Sequence, residues 1–288
     1  MMRILRKVGF SLGILVVPTF GFPQQDVGNE PLDIDPNTFF VLGNLEYILL
    51  HELAHVLIGD LSIPIIGPEE NAADYIATAT LIRADLFDAA RAQRAHEFLL
   101  ATANGLATSW EFTLESGSEV QYWDSHSLTI QRFYQMICLI YGSNPELFAA
   151  LPSRVGMPEH RSARCASEFD KANQSLQWLL ENFGRRPDDP PGAEVEIVYE
   201  RVPTQASQRV VDGVRASGML DNTIARLRTR FALPAPLRII FRRCSQPQAA
   251  WFAQQRELVV CYELLDNYYA LGLTERSAVR RTLLEASN

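Results

Sequence analysis

The stretch "YILLHELAHVLIGD", residues 47–60, places two histidines and a glutamate inside one of the most apolar runs of the chain. Burying an unpaired ionisable group costs several kcal/mol, so these three side chains need partners. On an α-helix His51 and His55 lie one turn apart on the same face, where both imidazoles reach one ion. Glu52 is offset around the helix and can face a water bound to that ion. This arrangement predicts a zinc site in which one helical turn supplies two ligands and a general base.

The next predicted helix opens with "PEENAADYIAT", residues 68–78, and supplies candidates for the third ligand. Glu70 and Asp74 are four residues apart and share a helix face. We therefore predict that Glu70 binds the metal and that Asp74 accepts a hydrogen bond from the far nitrogen of a ligand histidine. Glu69 is the rival ligand, ranked lower because Asp74 would then be out of phase by about 100°. Acidic residues in a first helical turn also complement the helix dipole, which is the alternative interpretation of both glutamates.

Peptide hydrolysis also needs a donor that stabilises the oxyanion opposite the metal. The segment "YWDSHSL" offers His126, with Asp124 as an orienting carboxylate, and "RFYQ" offers Tyr134. The alternative for His126 is a histidine at a helix start that is capped by Ser125 or Ser127. His126 is the predicted catalytic residue of this segment.

Composition limits the class of protein. With 288 residues, 47% of them hydrophobic and 21% charged, the chain can form one sizeable core or two modest ones. The formal net charge of -8 and the lack of a long Lys/Arg block argue against nucleic-acid binding. The expected partner is a peptide or protein substrate, with no nucleic acid and no stable membrane span once a signal peptide is removed.

The amino terminus predicts export. A basic "MMRILRK" precedes the apolar "VGFSLGILVVPTFGF", which is short for a membrane span, so residues 1–21 are predicted to be a cleaved signal peptide and the protein periplasmic or secreted. Four cysteines follow and allow three pairings. We favour Cys138 with Cys165 and Cys244 with Cys261, because each pair brackets a compact helical or hairpin unit. Buried free thiols are the alternative.

The predicted fold class is α+β and mainly helical. Residues 30–183 form a helical region that holds the zinc site, residues 184–193 have the Pro, Gly and charge of a linker, and residues 194–288 carry the strands. The first helix is predicted to be capped by Asn37 or Thr38. Strands are predicted at "EVEIVYE", "PLRIIFRR" and "ELVVCYE". Further helix is predicted from Pro68 with a break near Arg91, over 126–141, 145–151 and 160–183, over 207–231, and from Leu264 onward.

The segments "HELAHVLIGDLSIPIIGPEENAADYIATATL" and "YWDSHSLTIQRFYQMICLIYGSNPE" resemble a bacterial family of metallopeptidases classed as domain of unknown function 4344, a branch of the zincin group. Members of that family carry a HELGHALI-type helix, a loop rich in Leu and Pro, and an acidic EEDAAD-type segment. The family positions fall on His51, Glu52, His55, Glu70 and Asp74. The resemblance implies a zinc-dependent peptidase with these residues in its site.

The order of segments departs from that family. Its members place a strand, a CYE-like segment and a helix before the metal helix, whereas the similar stretch here, residues 236–269, comes after it. Either the chain is permuted and its terminal strands complete the sheet beside the metal helix, or it joins two incomplete copies. Permutation is preferred, because a helical amino-terminal region alone would leave a zincin core without its sheet. Ala54 replaces the family's usual glycine, a change that does not touch the chemistry.

The function predicted from the sequence is that of an exported zinc-dependent metallopeptidase. The cofactor is Zn²⁺, which lowers the pKa of a bound water, and Glu52 takes the proton of that water. The alternative is a non-catalytic zincin-like binding or scaffold protein of the cell envelope. The intact Glu52 argues against that alternative, because a closed structural site has no use for a general base. A serine hydrolase is disfavoured, because no G-x-S-x-G motif is present.

Overall fold

A computed structural model of the chain describes residues 35–83 and 95–273, and these form helices packed against a small sheet. The helices are α1 (Pro36–Asp60), α2 (Glu69–Ile82), α3 (Ala95–Glu115), α4 (Thr129–Ser143), α5 (Leu151–Arg154), α6 (Glu159–Ser162), α7 (Cys165–Phe183), α8 (Gln205–Ala216), α9 (Met219–Arg230) and α10 (Tyr262–Leu273). The strands are β1 (Val195–Tyr199), β2 (Leu237–Arg242), β3 (Ala249–Phe252) and β4 (Glu257–Cys261). The mainly helical α+β class is confirmed.

Helix α1 is the central element. Its first residue is Pro36, whose missing N–H is not needed at that position. The predicted caps Asn37 and Thr38 are wrong: the carboxylate of Asp35 accepts hydrogen bonds from the N–H groups of both residues, at 3.0 and 3.1 Å. These hydrogen bonds, with a further one from the Thr38 hydroxyl, hold the pKa of Asp35 below its usual value although burial acts in the opposite direction.

By length and composition α1 could cross a membrane, but its surroundings are protein. In the most apolar window of α1, 78% of the residues are buried inside the fold. A helix that is apolar on all sides is typical of a central core position. Leu45, Leu49 and Val56 pack toward the sheet and α8 to α10, whereas Tyr47 packs into a second cluster formed with α2, α3, α4 and α7.

The sheet has the strand order β1-β2-β4-β3, with β3 at one edge. The pairs β1–β2 and β2–β4 are parallel, and β3 runs antiparallel to β4. The three predicted strands are confirmed as β1, β2 and β4. Strand β3 was not predicted, since it has four residues, two of them alanines, which have low strand propensity.

Two predicted helical stretches differ in the structure. The stretch over 207–231 is two helices, α8 and α9, because Gly218 between them adopts a left-handed conformation with φ of 63°. Residues 145–150 form turns rather than helix, and the short α5 follows them. Pro152 lacks the N–H that would extend a helix back over these turns. The second predicted helix begins at Glu69, with Pro68 as its N-cap.

Both favoured disulfide pairings are confirmed. Cys138–Cys165 joins α4 to the start of α7, and Cys244–Cys261 joins the loop after β2 to the end of β4. Disulfides are typical of proteins that fold in an oxidising compartment, which fits an exported chain. The predicted signal peptide, residues 1–21, and the predicted helix break near Arg91 lie outside the described residues.

Candidate metal centre

The two histidines of α1 converge on one point. Their Nε2 atoms are 3.3 Å apart, and their rings meet edge to face at a centroid distance of 4.9 Å. The His51 side chain is buried, with 4% of its surface exposed, and that of His55 is 13% exposed. The one-turn spacing of His51 and His55 therefore produces the shared point predicted from the sequence.

Helix α2 brings a carboxylate to the same point. The Oε2 atom of Glu70 lies 3.1 Å from Nε2 of His51 and 3.2 Å from Nε2 of His55. Four ligands at about 2.0–2.1 Å from a tetrahedral zinc are about 3.3 Å from one another. Nε2 of His51, Nε2 of His55 and Oε2 of Glu70 form a triangle, called the donor triangle below, whose sides are close to this distance. It offers two imidazole nitrogens and one carboxylate oxygen, so the residues present fit a zinc ion. The structure brings together the three predicted ligands.

Asp74 lies on the far side of His51, as predicted from its helical phase with Glu70. Its Oδ1 is 2.8 Å from Nδ1 of His51. Arg132 of α4 donates from Nε to Oδ2 at 2.8 Å and from Nη2 to Oδ1 at 2.7 Å, and the Tyr47 hydroxyl donates to Oδ1 at 2.7 Å. Burial would raise the pKa of Asp74, but the hydrogen bond to His51 and the Arg132 charge hold it well below its usual range. An ionised carboxylate at this position can accept a hydrogen bond from Nδ1–H of His51, and Nε2 would then be the nitrogen available to a metal.

Glu69, the alternative ligand, contacts Nδ1 of His55, the ring nitrogen that is not part of the donor triangle. Its Oε1 is 2.7 Å from Nδ1 of that histidine. Burial alone would lower the pKa of His55, but the hydrogen bond to Glu69 and the charges of Glu70 and Glu52 raise it. Each of the two histidines therefore has its own carboxylate partner, Asp74 for His51 and Glu69 for His55.

Glu52 connects α1 to the edge of the sheet. Its Oε2 accepts a hydrogen bond from the backbone N–H of Trp251 in β3, at 2.9 Å. Since β3 pairs only with β4 in the sheet, this N–H belongs to the outer edge of the strand. The predicted general base therefore lies between the donor triangle and an edge strand.

His126 lies on the solvent side of the donor triangle. Its Nε2 is 2.8 Å from Oε2 of Glu70, and its ring stacks on His51 at a centroid distance of 5.9 Å. Oδ1 of Asp124 lies 3.0 Å from Nδ1 of His126, on the side of the ring away from Glu70. The same carboxylate accepts a hydrogen bond from the backbone N–H of His126, and this hydrogen bond lowers the pKa of Asp124. A cleft opens beside His126 and Arg132.

Tyr134, the other donor considered from the sequence, is directed elsewhere. Its hydroxyl donates to the backbone carbonyl of Val155 at 3.1 Å. Within the described residues, His126 is therefore the better placed of the two.

Three contributors to this centre were missed in the sequence. Tyr47 precedes His51 by one helical turn, so the i, i+4 spacing could have indicated it. Arg132 is one basic residue in a helix otherwise rich in apolar residues, a weak signal for a buried ion pair. Trp251 acts through its backbone N–H and leaves no side-chain signal.

Two helices that bring a pair of histidines and a carboxylate to one point are typical of the HExxH class of metal-dependent hydrolases. Residues 28–180 and 199–286 match the sequence profile of the family described as "Putative metallopeptidase", domain of unknown function 4344. The chain belongs to this family, as the resemblance predicted. Neither a curated protein nor a solved structure matches the chain. The permuted order of its segments stays a prediction.

Proposed function

We propose that this chain is an exported zinc-dependent metallopeptidase. The observation that carries the proposal is the donor triangle of His51, His55 and Glu70, with Glu52 beside it on the same helix and hydrogen-bonded to an edge strand. Two imidazoles and one carboxylate suit zinc, whereas Ca²⁺ and Mg²⁺ take oxygen ligands. Bound there, zinc would polarise a water molecule and lower its pKa to about 7.

The chain's own residues would then move the protons. Glu52 takes a proton from the attacking water and passes it to the leaving amine. The hydrogen bond from Trp251 holds the Glu52 carboxylate at the edge of the sheet. His126, oriented by Asp124, donates to the developing oxyanion of the substrate carbonyl.

Strand β3 supports a peptide as the substrate. An extended peptide adds to an exposed sheet edge through main-chain hydrogen bonds, and the outer edge of β3 adjoins Glu52. The scissile carbonyl of such a peptide would lie near the donor triangle. The two disulfides and the predicted signal peptide favour a substrate in the periplasm or outside the cell.

The test compares the wild-type chain without residues 1–21 with its Glu52→Gln variant. The side-chain carbonyl oxygen of the introduced glutamine can still accept the Trp251 N–H, whereas its amide cannot take a proton from water. We expect one zinc per chain in both proteins and a loss of peptide-library hydrolysis by a factor of about 10²–10⁴ in the variant. Zinc is measured by elemental analysis and hydrolysis by mass spectrometry of the library.

The matched control is Glu46→Gln, a buried glutamate of the same helix that pairs with Arg226 away from the donor triangle. This variant is expected to keep both zinc and hydrolysis. Stoichiometric zinc with no hydrolysis by either wild type or Glu52→Gln would favour the alternative, a non-catalytic binding or scaffold protein. Absence of zinc from the wild type would contradict both metal-based functions.

A further inference from the structure

The cleft beside His126 adjoins the donor triangle. It lies between the last two turns of α3, the loop that joins α3 to α4, and the start of α4. Its volume is about 340 Å³, at the lower end of the range of about 300–1,000 Å³ that is usual for small-molecule sites. His126 both lines the cleft and contacts Glu70. The cleft is therefore open to a side chain of a peptide whose scissile bond lies at the donor triangle.

The cleft lining contains a carboxylate without a partner. Glu119 is exposed and forms no hydrogen bond or ion pair with any other residue that the structure describes. The carboxylate of Asp124, which also lines the cleft, is held against His126. The lining includes Arg132 as well, but its guanidinium makes two hydrogen bonds to Asp74, whose charge balances it. The cleft therefore presents negative charge to a ligand.

Two features of α3 add to the attraction for a cation. Thr113 lines the cleft from the last turn of α3, where the backbone carbonyls carry a partial negative charge. The last turn contains no basic residue that would offset this charge. Trp110, one turn earlier, is half-buried and contributes an aromatic ring to the lining. Guanidinium and ammonium groups are attracted to the face of an indole ring, so a ring and a carboxylate in one cleft suit arginine or lysine.

We propose that this cleft is the specificity pocket of the peptidase and takes an arginine or lysine side chain close to the scissile bond. The proposal rests on the proposed peptidase function. Glu119 is the residue that selects a positive charge, and Trp110 provides the ring against which the side chain packs. The same carboxylate and the carboxyl end of α3 disfavour an acidic side chain. The favoured substrates are therefore cationic peptides.

The first measurement is peptide binding to the zinc-loaded Glu52→Gln chain, which is not expected to cleave the peptides. The probes are N-acetylated, C-amidated octapeptides of alanine and serine with a neutral coumarin label, and binding is followed by fluorescence anisotropy. One position, moved along the peptide, carries arginine, citrulline or glutamate. Citrulline has the shape of arginine without its charge. At the best position we expect arginine to bind about tenfold more tightly than citrulline, because an exposed ion pair and a cation–π contact each contribute up to about fivefold.

Variants made in the Glu52→Gln chain locate the preference. Glu119→Gln removes the charge with little change of size and is expected to lower the arginine-to-citrulline ratio about fivefold. Glu119→Lys is expected to reverse the order, so that the glutamate peptide binds more tightly than the arginine peptide. Trp110→Leu is expected to lower the ratio about threefold. A variant that merely disturbs the fold would weaken the arginine and citrulline peptides alike and leave their ratio unchanged.

The control accounts for the charge of the whole molecule. The net charge of -8 attracts cationic peptides to the protein as a whole. Glu181→Gln makes the same change in net charge as Glu119→Gln, at an exposed position of α7 outside the cleft lining. This variant is expected to keep the full arginine-to-citrulline ratio. An equal fall of the ratio in Glu181→Gln and Glu119→Gln would assign the preference to net charge and overturn the proposal.

The second measurement is hydrolysis of a mixed peptide library by the chain with Glu52 intact, read by mass spectrometry. We expect arginine and lysine to be enriched at one fixed position relative to the cleaved bond, and the enrichment to be lost in Glu119→Gln. Hydrolysis without this enrichment, and with equal binding of arginine and citrulline peptides, would overturn the specificity pocket and leave the peptidase function in place. An arginine preference that depends on Glu119, without any hydrolysis, would contradict the peptidase function and support the cleft as a site for cationic peptides. Failure of every peptide to bind would overturn the proposal.

Discussion

Replacing Arg132 by methionine tests whether Asp74 orients His51, the proposed zinc ligand. In the wild type the guanidinium makes two hydrogen bonds to Asp74, and the two side chains are 18% and 5% exposed. Removing one partner of a buried ion pair costs about 3–5 kcal/mol. The Asp74 carboxylate keeps the Tyr47 hydroxyl and His51, so we expect the lower end, about 3 kcal/mol of the free energy of unfolding.

The same change is expected to weaken zinc binding. Without Arg132 the Asp74 carboxylate is less firmly placed on Nδ1 of His51, and loss of such outer contacts lowers metal affinity about 10- to 100-fold. Zinc affinity is measured by competition with a chromophoric chelator, and stability by urea unfolding of the metal-free protein. Arg132→Lys, which supplies the charge without the planar two-pronged geometry, is expected to fall between wild type and Arg132→Met.

A matched buried pair on the same helix provides the control. Arg226→Met removes a charged partner of Glu46, whose side chain is fully buried. It is expected to lower the free energy of unfolding by a similar amount and to leave zinc affinity unchanged. The reasoning is refuted if Arg132→Met binds zinc as tightly as the wild type, or if Arg226→Met loses zinc affinity to the same extent.

Three further predictions concern the scaffold. Gly105→Ala would place a Cβ 1.8 Å from Oδ1 of Asn44. We therefore expect the free energy of unfolding, measured in urea, to fall by about 1–3 kcal/mol, although alanine has the better helix propensity. The control Gly59→Ala, whose Cβ would meet nothing within 4 Å, should be neutral or stabilising. Asp35→Ala should cost about 1 kcal/mol at pH 7. Because folding lowers the pKa of Asp35, its contribution is present above the unfolded pKa and is lost as the pH falls through the folded value, so the difference between the two proteins should shrink below about pH 4. Replacing both cysteines of the disulfide between α4 and α7 by alanine should lower thermal stability by about 3 kcal/mol, and equal melting temperatures would contradict its structural role.

Local spacing explains why much of the site could be predicted. His51 and His55 are related by one helical turn, and Glu70 and Asp74 by another, so each pair shares a face in any helix that contains it. The loop between the two helices is short, which brings the two faces together. The phase argument that ranked Glu70 above Glu69 agrees with the geometry, since Glu70 lies on the triangle and Glu69 behind His55.

The contacts that could not be predicted are distant in the chain. Arg132 is 58 residues from Asp74, and Trp251 is 199 residues from Glu52. Such pairs depend on how α4 and β3 pack against α1 and α2, which no local pattern determines. Strand β3 was missed for the same reason, because a sheet partner rather than its own propensity holds its four residues in an extended conformation.

The hydrogen bond between Glu52 and Trp251 also sets an order of events during biosynthesis. The residues of the donor triangle leave the ribosome well before the strand that borders Glu52, because Trp251 follows Glu52 by 199 residues. Its neighbour β4 ends in a disulfide, and disulfides form in oxidising compartments rather than in a reducing cytoplasm. In the exported peptidase proposed above, a newly made chain would therefore hold its histidines long before it could align a substrate beside them, and the cytoplasm would be spared its activity.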